Sequence, residues 1–243
     1  MDMSPRLIDR AGDGYRIQAS IPRLVEIVGP AGAGKSTLCQ ALAHTSGHIR
    51  LENFPDVRRM ADAPFFIRNG IQTFPFILRF PGRSRGLTRR EFAWLSILNG
   101  WPRLLQREWQ NHHKTVVLDQ GPVYLFTEIY ESGPEYLRNG GHGKALQELY
   151  AGWAAMLDAI VWLDASNEVL AGRIRGRRKE HIVKDKTAET TFAFLDRFRS
   201  GYARTLSLLT AHRSDIRVLR FDTSQESPEQ ITDELLAAFG LAP

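Results

Sequence analysis

The sequence predicts an α/β fold in which a parallel β-sheet carries helices on both faces. Apolar runs with the length of strands recur along the chain, and a stretch with helical spacing follows each of them. The helices between them begin at capping residues. Strand and helix in this alternation favour parallel pairing. The runs lie at residues 24–28, 115–118, 159–163 and 216–221.

Composition excludes several other classes of protein. The chain has 243 residues, of which 43% are hydrophobic and 24% charged, and this is ordinary for a globular domain. Its single cysteine, Cys39, rules out an internal disulfide and suits a reducing compartment. The first twenty residues lack the apolar core of a secretory signal, and no run approaches the length of a membrane span. We therefore expect a cytoplasmic protein without a membrane span.

Two helix starts and one domain are predicted from local signals. Thr88 and Glu91 form a capping box that opens a helix toward Asn111, which Pro102 should kink or divide. Residues 227–230 open the final helix in the same way. No linker separates two domains. We expect one domain over 23–243, preceded by an extension over 1–22 with a hairpin turn at its centre.

Residues 29–36 read GPAGAGKS and match the phosphate-binding loop G-x-x-x-x-G-K-[ST], between a strand and a helix. Glycines let backbone N–H groups turn toward phosphate oxygens, the lysine neutralises the β- and γ-phosphates, and the serine hydroxyl is a ligand for magnesium. The motif predicts ATP or GTP with Mg²⁺. The predicted nucleotide-binding residues are Gly29, Gly32, Ala33, Gly34, Lys35, Ser36 and Thr37.

Two further features fit a nucleotide site. Asp119 ends an apolar strand, where a carboxylate can hold magnesium together with Ser36; the alternative is that it caps the following turn. Arg173, Arg175 and Arg177 alternate at the end of a helix, and on a flexible loop they would close over the transferring phosphates. A solvated basic turn or a nucleic-acid patch is the alternative for these arginines.

These motifs, with FLDRFRSGY at 194–202 and VLRFDTS at 218–224, resemble thymidylate kinase and the related deoxynucleoside kinases. The resemblance covers the P-loop and about 161–239, whereas nothing between 53 and 114 matches. It implies a five-stranded parallel sheet, ATP as donor and a lid over about 173–190. It also implies that Arg173 lies beside adenine, that Arg175 and Arg177 contact phosphates, and that Asp222, Thr223 and Ser224 border the adenine.

The acceptor side departs from the family pattern. Glu52, at the end of a strand over 49–52, resembles the carboxylate that takes the proton from the acceptor hydroxyl in nucleoside kinases. A surface role for Glu52 and a base role for Asp56 are the alternatives. Family members carry arginine after the strand-ending carboxylate, but here Gln120 follows Asp119. Glutamine cannot neutralise an acceptor phosphate, which argues against thymidine monophosphate; the alternative is that another arginine compensates.

An acceptor-binding insertion is expected at about 53–113. Its arginines are candidates for binding an anionic acceptor, and Gln120 is a candidate for contact with the acceptor. The arginines could instead bind a polynucleotide or an acidic membrane, or form a basic loop that only solvent surrounds. The candidates are Arg79, Arg83 and Arg85. Aromatic residues at 64–67 and 74–78 would line an apolar pocket or a homodimer contact, or form a core helix.

The charge pattern supports the same interpretation. Of the 32 basic residues, 26 are arginine, and the net charge of +5 comes from two clusters at 79–107 and 173–186, since the rest of the chain is net negative. We expect a kinase that transfers the γ-phosphate of ATP to a small molecule, a nucleoside, nucleotide or similar metabolite. The alternatives are a nucleic-acid end kinase or nucleic-acid-binding ATPase, and a nucleotide-dependent regulatory protein that phosphorylates no acceptor.

Overall fold

The structure is a computed structural model that describes residues 21–78, 87–138, 144–178 and 180–241. The predicted hairpin turn at residues 12–14 and the candidate acceptor residues Arg79, Arg83 and Arg85 lie outside these ranges.

The centre of the molecule is a five-stranded, fully parallel sheet with the strand order β2-β3-β1-β4-β5. All five carboxyl ends therefore lie at one edge of the sheet. From β1 the chain crosses to the edge strand β2 and then returns through β3 to β4 and β5 on the other side of β1. The connections that leave the neighbouring strands β1 and β4 therefore run in opposite directions, and such a switch point is where open α/β sheets bind ligands. The strands are β1 (Leu24–Val28), β2 (Ile49–Glu52), β3 (Thr115–Leu118), β4 (Ala159–Asp164) and β5 (Arg217–Asp222).

Helices cover both faces of the sheet, as predicted. They are α1 (Lys35–Thr45), α2 (Ala63–Leu78), α3 (Arg89–His112), α4 (Pro122–Ser132), α5 (Glu135–Arg138), α6 (Lys144–Ala154), α7 (Asn167–Gly176), α8 (Ala188–His212) and α9 (Pro228–Ala238). Alternate strand residues divide between two cores. Leu24 and Val28 join the core that contains residues of α3, α4, α6 and α8, whereas Val25 and Ile27 join the core with α1, α7 and α9.

The predicted caps are present. Of the two expectations for Pro102, a kink in the helix or its division, the division is wrong. The Thr88 hydroxyl accepts from the Glu91 amide, and the Glu91 carboxylate accepts from the Thr88 amide at 2.7 Å. Pro102 does not divide the helix, which continues to His112. Proline cannot donate to the carbonyl four residues earlier. That carbonyl, of Leu98, instead accepts from the indole of Trp153 at 2.9 Å, so a buried side chain replaces the missing backbone donor.

The aromatic residues at 64–67 and 74–78 belong to a single helix, α2. The sequence had allowed three roles for them: lining a pocket, forming a dimer contact or forming a core helix. Phe65 and Phe66 are partly buried against the core. Ile67, Ile71 and Phe74 are exposed. Within the described ranges, no helix has the length and apolar character needed to cross a membrane.

Candidate active site

The phosphate-binding loop follows β1 and is shaped by glycines in conformations that other residues rarely adopt. Gly29 has φ +148°, and a Cβ there would lie 2.1 Å from the carbonyl oxygen of Leu163 on β4. Gly32 has φ +85°, and its Cβ would lie 2.9 Å from the carbonyl oxygen of Leu170 on α7. Glycine is therefore required at both positions, because the loop passes against neighbouring backbone.

Lys35, the first residue of α1, lies inside this loop. Its Nζ donates to the carbonyl oxygens of Gly29 at 2.7 Å and Pro30 at 3.0 Å. Burial lowers its pKa to about 8, although Asp119 nearby favours the charged form. The amine is thus held within the loop by weak acceptors that a phosphate oxygen can replace.

Ser36 and Asp119 meet at the carboxyl edge of the sheet, although 83 residues separate them in the chain. The serine Oγ donates to Asp119 Oδ2 at 2.6 Å. The other carboxylate oxygen, Oδ1, is buried and has no hydrogen-bond partner among the described residues. Hard oxygen donors of this kind suit Mg²⁺, which is commonly held by one or two protein groups together with substrate phosphates and water. The pair therefore fits the predicted magnesium ligands.

The three predicted lid arginines do not share one environment. Arg173 donates from Nη1 to Thr223 Oγ1 and from Nη2 to the Thr223 carbonyl oxygen, both at 2.7 Å. Arg177 lines the cleft, and its buried Nε has no hydrogen-bond partner within the part of the chain that the structure describes. Arg175 is exposed and does not line the cleft.

Helix geometry explains why the arginines separate. We expected them on a loop, but α7 continues to Gly176, so Arg173 and Arg175 lie in its last turn. A two-residue step on an α-helix rotates a side chain by about 200°. Arg173 therefore lies beside the P-loop, while Arg175 lies on a different side of the helix.

The loop after β5 packs beside the P-loop and α7. The Asp222 carboxylate accepts from the Ser224 hydroxyl at 2.6 Å and from the Ser224 amide at 2.8 Å, and these hydrogen bonds lower its pKa. The Thr223 amide donates to the carbonyl oxygen of Asp164 on β4. The structure thus brings together Arg173 and the 222–224 loop, which the resemblance placed around the same adenine.

These elements enclose a cleft of about 480 Å³. Lys35, Ser36, Asp119 and Arg177 line it together with the glycines of the P-loop. The lining also includes Gln120, whose contact with the acceptor stays a prediction. α4 and α8 contribute five further side chains to the lining, four of them aromatic: Tyr124, Glu128, Phe194, Phe198 and Tyr202. The three from α8 belong to the FLDRFRSGY segment that carries the resemblance, whereas the two from α4 were not predicted. Glu180 and His181 also line the cleft.

Glu128 is a carboxylate in this cleft that is only 7% exposed. The Tyr124 hydroxyl, one helical turn earlier, donates to its Oε1 at 2.7 Å. Arg90 of α3 lies 3.4 Å from its Oε2, and the same guanidinium lies over the ring of Trp94. The four-residue spacing of Tyr124 and Glu128 just after Asp119 is a signal in the sequence, but the sequence does not show that α3 supplies the arginine.

A second buried carboxylate positions α4. Glu26, in the middle of β1, accepts from the backbone amides of Gly121, Val123 and Tyr124 at 2.8–3.0 Å. Burial raises its pKa to about 7, although these amides favour the carboxylate. The carboxylate binds the N-terminal amides of α4 and so orients the helix that carries Tyr124 and Glu128. A glutamate within the apolar run LVEIV was a visible signal of this role.

The predicted base and its alternative are not among the cleft residues. Glu52 ends β2, where its carboxylate lies 3.3 Å from Arg50, and partial burial raises its pKa. Asp56 accepts from the backbone amide of Arg58. The structure therefore brings neither of these carboxylates to the lining around Lys35 and Asp119.

Comparison with known proteins supports the fold. No protein-family model matches the chain, and no curated protein matches it. Among solved structures, it is similar to thymidylate kinase from Candida albicans, with 15% identity and a TM-score of 0.51, covering 90% of this chain and 91% of the other. It is also similar to deoxyadenosine kinase from M. mycoides with bound dATP, with 13% identity, a TM-score of 0.48 and coverage of 88% and 97%. The likeness to thymidylate kinase confirms the predicted P-loop nucleoside/nucleotide kinase-like fold.

Proposed function

We propose that this protein is a small-molecule kinase that transfers the γ-phosphate of ATP to a hydroxyl group of an uncharged, nucleoside-like acceptor. One observation carries the proposal. A single cleft joins the P-loop, Lys35 and the Ser36–Asp119 pair to a buried carboxylate, Glu128, and to aromatic side chains of α4 and α8.

The donor side has the groups that phosphoryl transfer requires. Backbone amides of the P-loop and the Lys35 amine bind the β- and γ-phosphates, and the unpartnered Nε of Arg177 is available to the transferring group. Arg173 and the 222–224 loop bind the adenine end. Ser36 and Asp119 would hold Mg²⁺, which when bound neutralises phosphate charge.

The acceptor side suits an uncharged ring. Phe194, Phe198 and Tyr202 offer flat apolar surfaces. The side chains that α4 and α8 contribute to the described lining include a carboxylate and no lysine or arginine. Gln120 replaces the arginine of the family pattern, and with Glu128 it offers hydrogen-bonding groups for hydroxyls and amines. The guanidinium of Arg90, which lies 3.4 Å from Glu128, is engaged by that carboxylate.

Two carboxylates are candidates for the base. Transfer forms a bond between the acceptor oxygen and the γ-phosphorus, breaks the bond to ADP, and moves the hydroxyl proton to a carboxylate. The resemblance implies Glu52. We assign the role to Glu128, because it lines the cleft and its two oxygens are oriented by Tyr124 and Arg90.

The test is ATP consumption by the purified protein with nucleosides, nucleoside monophosphates, sugars and sugar phosphates. We expect turnover with one or more nucleosides and little with their monophosphates. Glu128→Gln should lower kcat by about a hundredfold or more while ATP binding persists, whereas Glu52→Gln serves as the matched variant outside the cleft. A loss confined to Glu52→Gln would return the base role to that residue.

The other outcomes identify the alternative functions. Phosphorylation of an oligonucleotide end, with affinity that falls steeply as salt rises, would favour the nucleic-acid end kinase. ATP binding without transfer to any acceptor would contradict the kinase proposal and favour a regulatory protein. The homodimer stays a prediction that light scattering tests.

A further inference from the structure

One side of α2 presents apolar side chains to solvent. Ile67, Ile71 and Phe74 are 68%, 72% and 59% exposed. Their spacing of four and three residues places them in one row along the helix. Asn69 and Thr73, on the side that faces α3, are buried, and Thr73 pairs with the amide of Asn99. The row is therefore the outer face of a helix whose inner face is already packed.

Arg68 follows Ile67 on α2, and two arginines of the neighbouring helix α3 lie on the same side as Arg68. One of them, Arg103, donates from Nη1 to Gln72 Oε1 of α2. Arg68 of α2 and Arg103 and Arg107 of α3 surround a depression of about 220 Å³, with Pro64, Phe65 and Leu104 among its other lining residues. All three arginines are exposed. We call the row and the three arginines together the α2 face.

Acidic side chains near the α2 face are scarce or already engaged. α2 itself contains one arginine, Arg68, and no aspartate or glutamate. Glu108, next to Arg107, accepts from Arg50 at 2.6 Å. Asp62, just before α2, accepts from the Asp56 amide at 2.8 Å. The α2 face therefore combines exposed apolar surface with net positive charge.

We propose that the α2 face docks the protein on the surface of an anionic lipid membrane. Such a surface meets both requirements at once, because its phosphate groups attract arginine and its acyl boundary accepts apolar side chains. An amphipathic helix with an apolar row and basic flanks lies in the plane of this interface. Docking of this kind needs no membrane-spanning helix.

Charge argues against two other occupants. In a symmetric dimer the same patch faces itself, so the three arginines of one copy would approach those of the other, and like charges across an interface are unfavourable. Nucleic acid would satisfy the arginines, but its phosphate backbone contacts would leave Ile67, Ile71 and Phe74 in water. The anionic membrane leaves neither group unsatisfied.

The test is sedimentation of the full chain with vesicles of phosphatidylcholine alone or mixed with phosphatidylglycerol. We expect binding to the mixed vesicles and little to the neutral ones. Arg68→Ala should lower the partition coefficient about fivefold, and Ile71→Ser about tenfold. The matched controls are Lys114→Ala, which removes an exposed charge elsewhere, and Ile21→Ser, which alters a side chain that is 58% exposed ahead of β1. Affinity of every variant for ATP should stay unchanged.

Three results would overturn the proposal. The first is no difference between the two kinds of vesicle, or equal losses in the α2-face variants and their controls. The second is self-association of the wild-type chain that Ile71→Ser abolishes, which would make the α2 face a contact between copies. The third is vesicle binding that appears only after residues 1–20 are removed, which would assign the face to the chain's own N-terminal segment.

Discussion

The P-loop edge of the sheet and the α2 face both concentrate basic side chains, but they hold them differently. At the P-loop edge, Lys35 and Arg173 are engaged by backbone carbonyls and by Thr223 within a cleft. On the α2 face, Arg68 and its neighbours are exposed beside apolar side chains. The first arrangement suits a small phosphate ligand bound in a fixed position, whereas the second suits an extended anionic surface.

The contrast shows why net charge alone does not identify a partner. The same +5 is compatible with a nucleotide site, a nucleic-acid surface or a membrane surface. What separates these partners is the surroundings of each cation, namely whether oriented acceptors hold it in a cleft or it lies exposed near apolar side chains.

The largest expected effect is at the P-loop. Lys35→Ala should lower kcat by about a hundredfold to a thousandfold, because it removes a charge directed at the transferring phosphate. Single-turnover kinetics measure the chemical step, and thermal unfolding checks that the variant is folded. Arg68→Ala, on the α2 face, is the control and should keep the wild-type rate. Retained turnover in Lys35→Ala would contradict the donor-site assignment.

A smaller effect separates two arginines of one helix. Arg173→Ala should weaken ATP binding by about tenfold, because the side chain that joins α7 to the Thr223 loop is lost. Arg175→Ala removes an equal charge from a position two residues further along α7. This variant should bind ATP with the wild-type affinity. Calorimetric titration with ATP measures both affinities. Equal losses would mean that the arginines act through general charge rather than through position.

The smallest effect concerns stability and its pH dependence. The folded-state pKa of Glu26 is raised from 4.5 to about 7, so the folded chain binds more protons than the unfolded chain between these values. The free energy of unfolding should therefore fall as pH rises from about 4.5 to 7, by on the order of 3 kcal/mol from this group, and then level off. Urea unfolding at several pH values measures the slope, which Glu26→Gln should flatten. The same slope in both proteins would show that Glu26 does not titrate in this range.

Much of the fold and of the donor site was predictable, because the signals were local. Strand and helix alternation predicted the parallel sheet. The GPAGAGKS motif predicted the phosphate-binding loop, and the φ angles at positions 29 and 32 of that loop require glycine. The capping box at Thr88 predicted the start of α3. In each case the residues that determine the structure are neighbours in the chain, so their spacing carries the information.

Only the tertiary structure decided which distant residues meet. Pro102 remains inside a helix because Trp153, 51 positions later, donates to the Leu98 carbonyl. Glu128 enters the cleft because Glu26 binds the first amides of α4. Such contacts form between side chains far apart in the chain, and sequence spacing does not encode their distances. The sequence by itself therefore determined the sheet and the P-loop, while packing decided which side chains line the rest of the cleft and which form the α2 face.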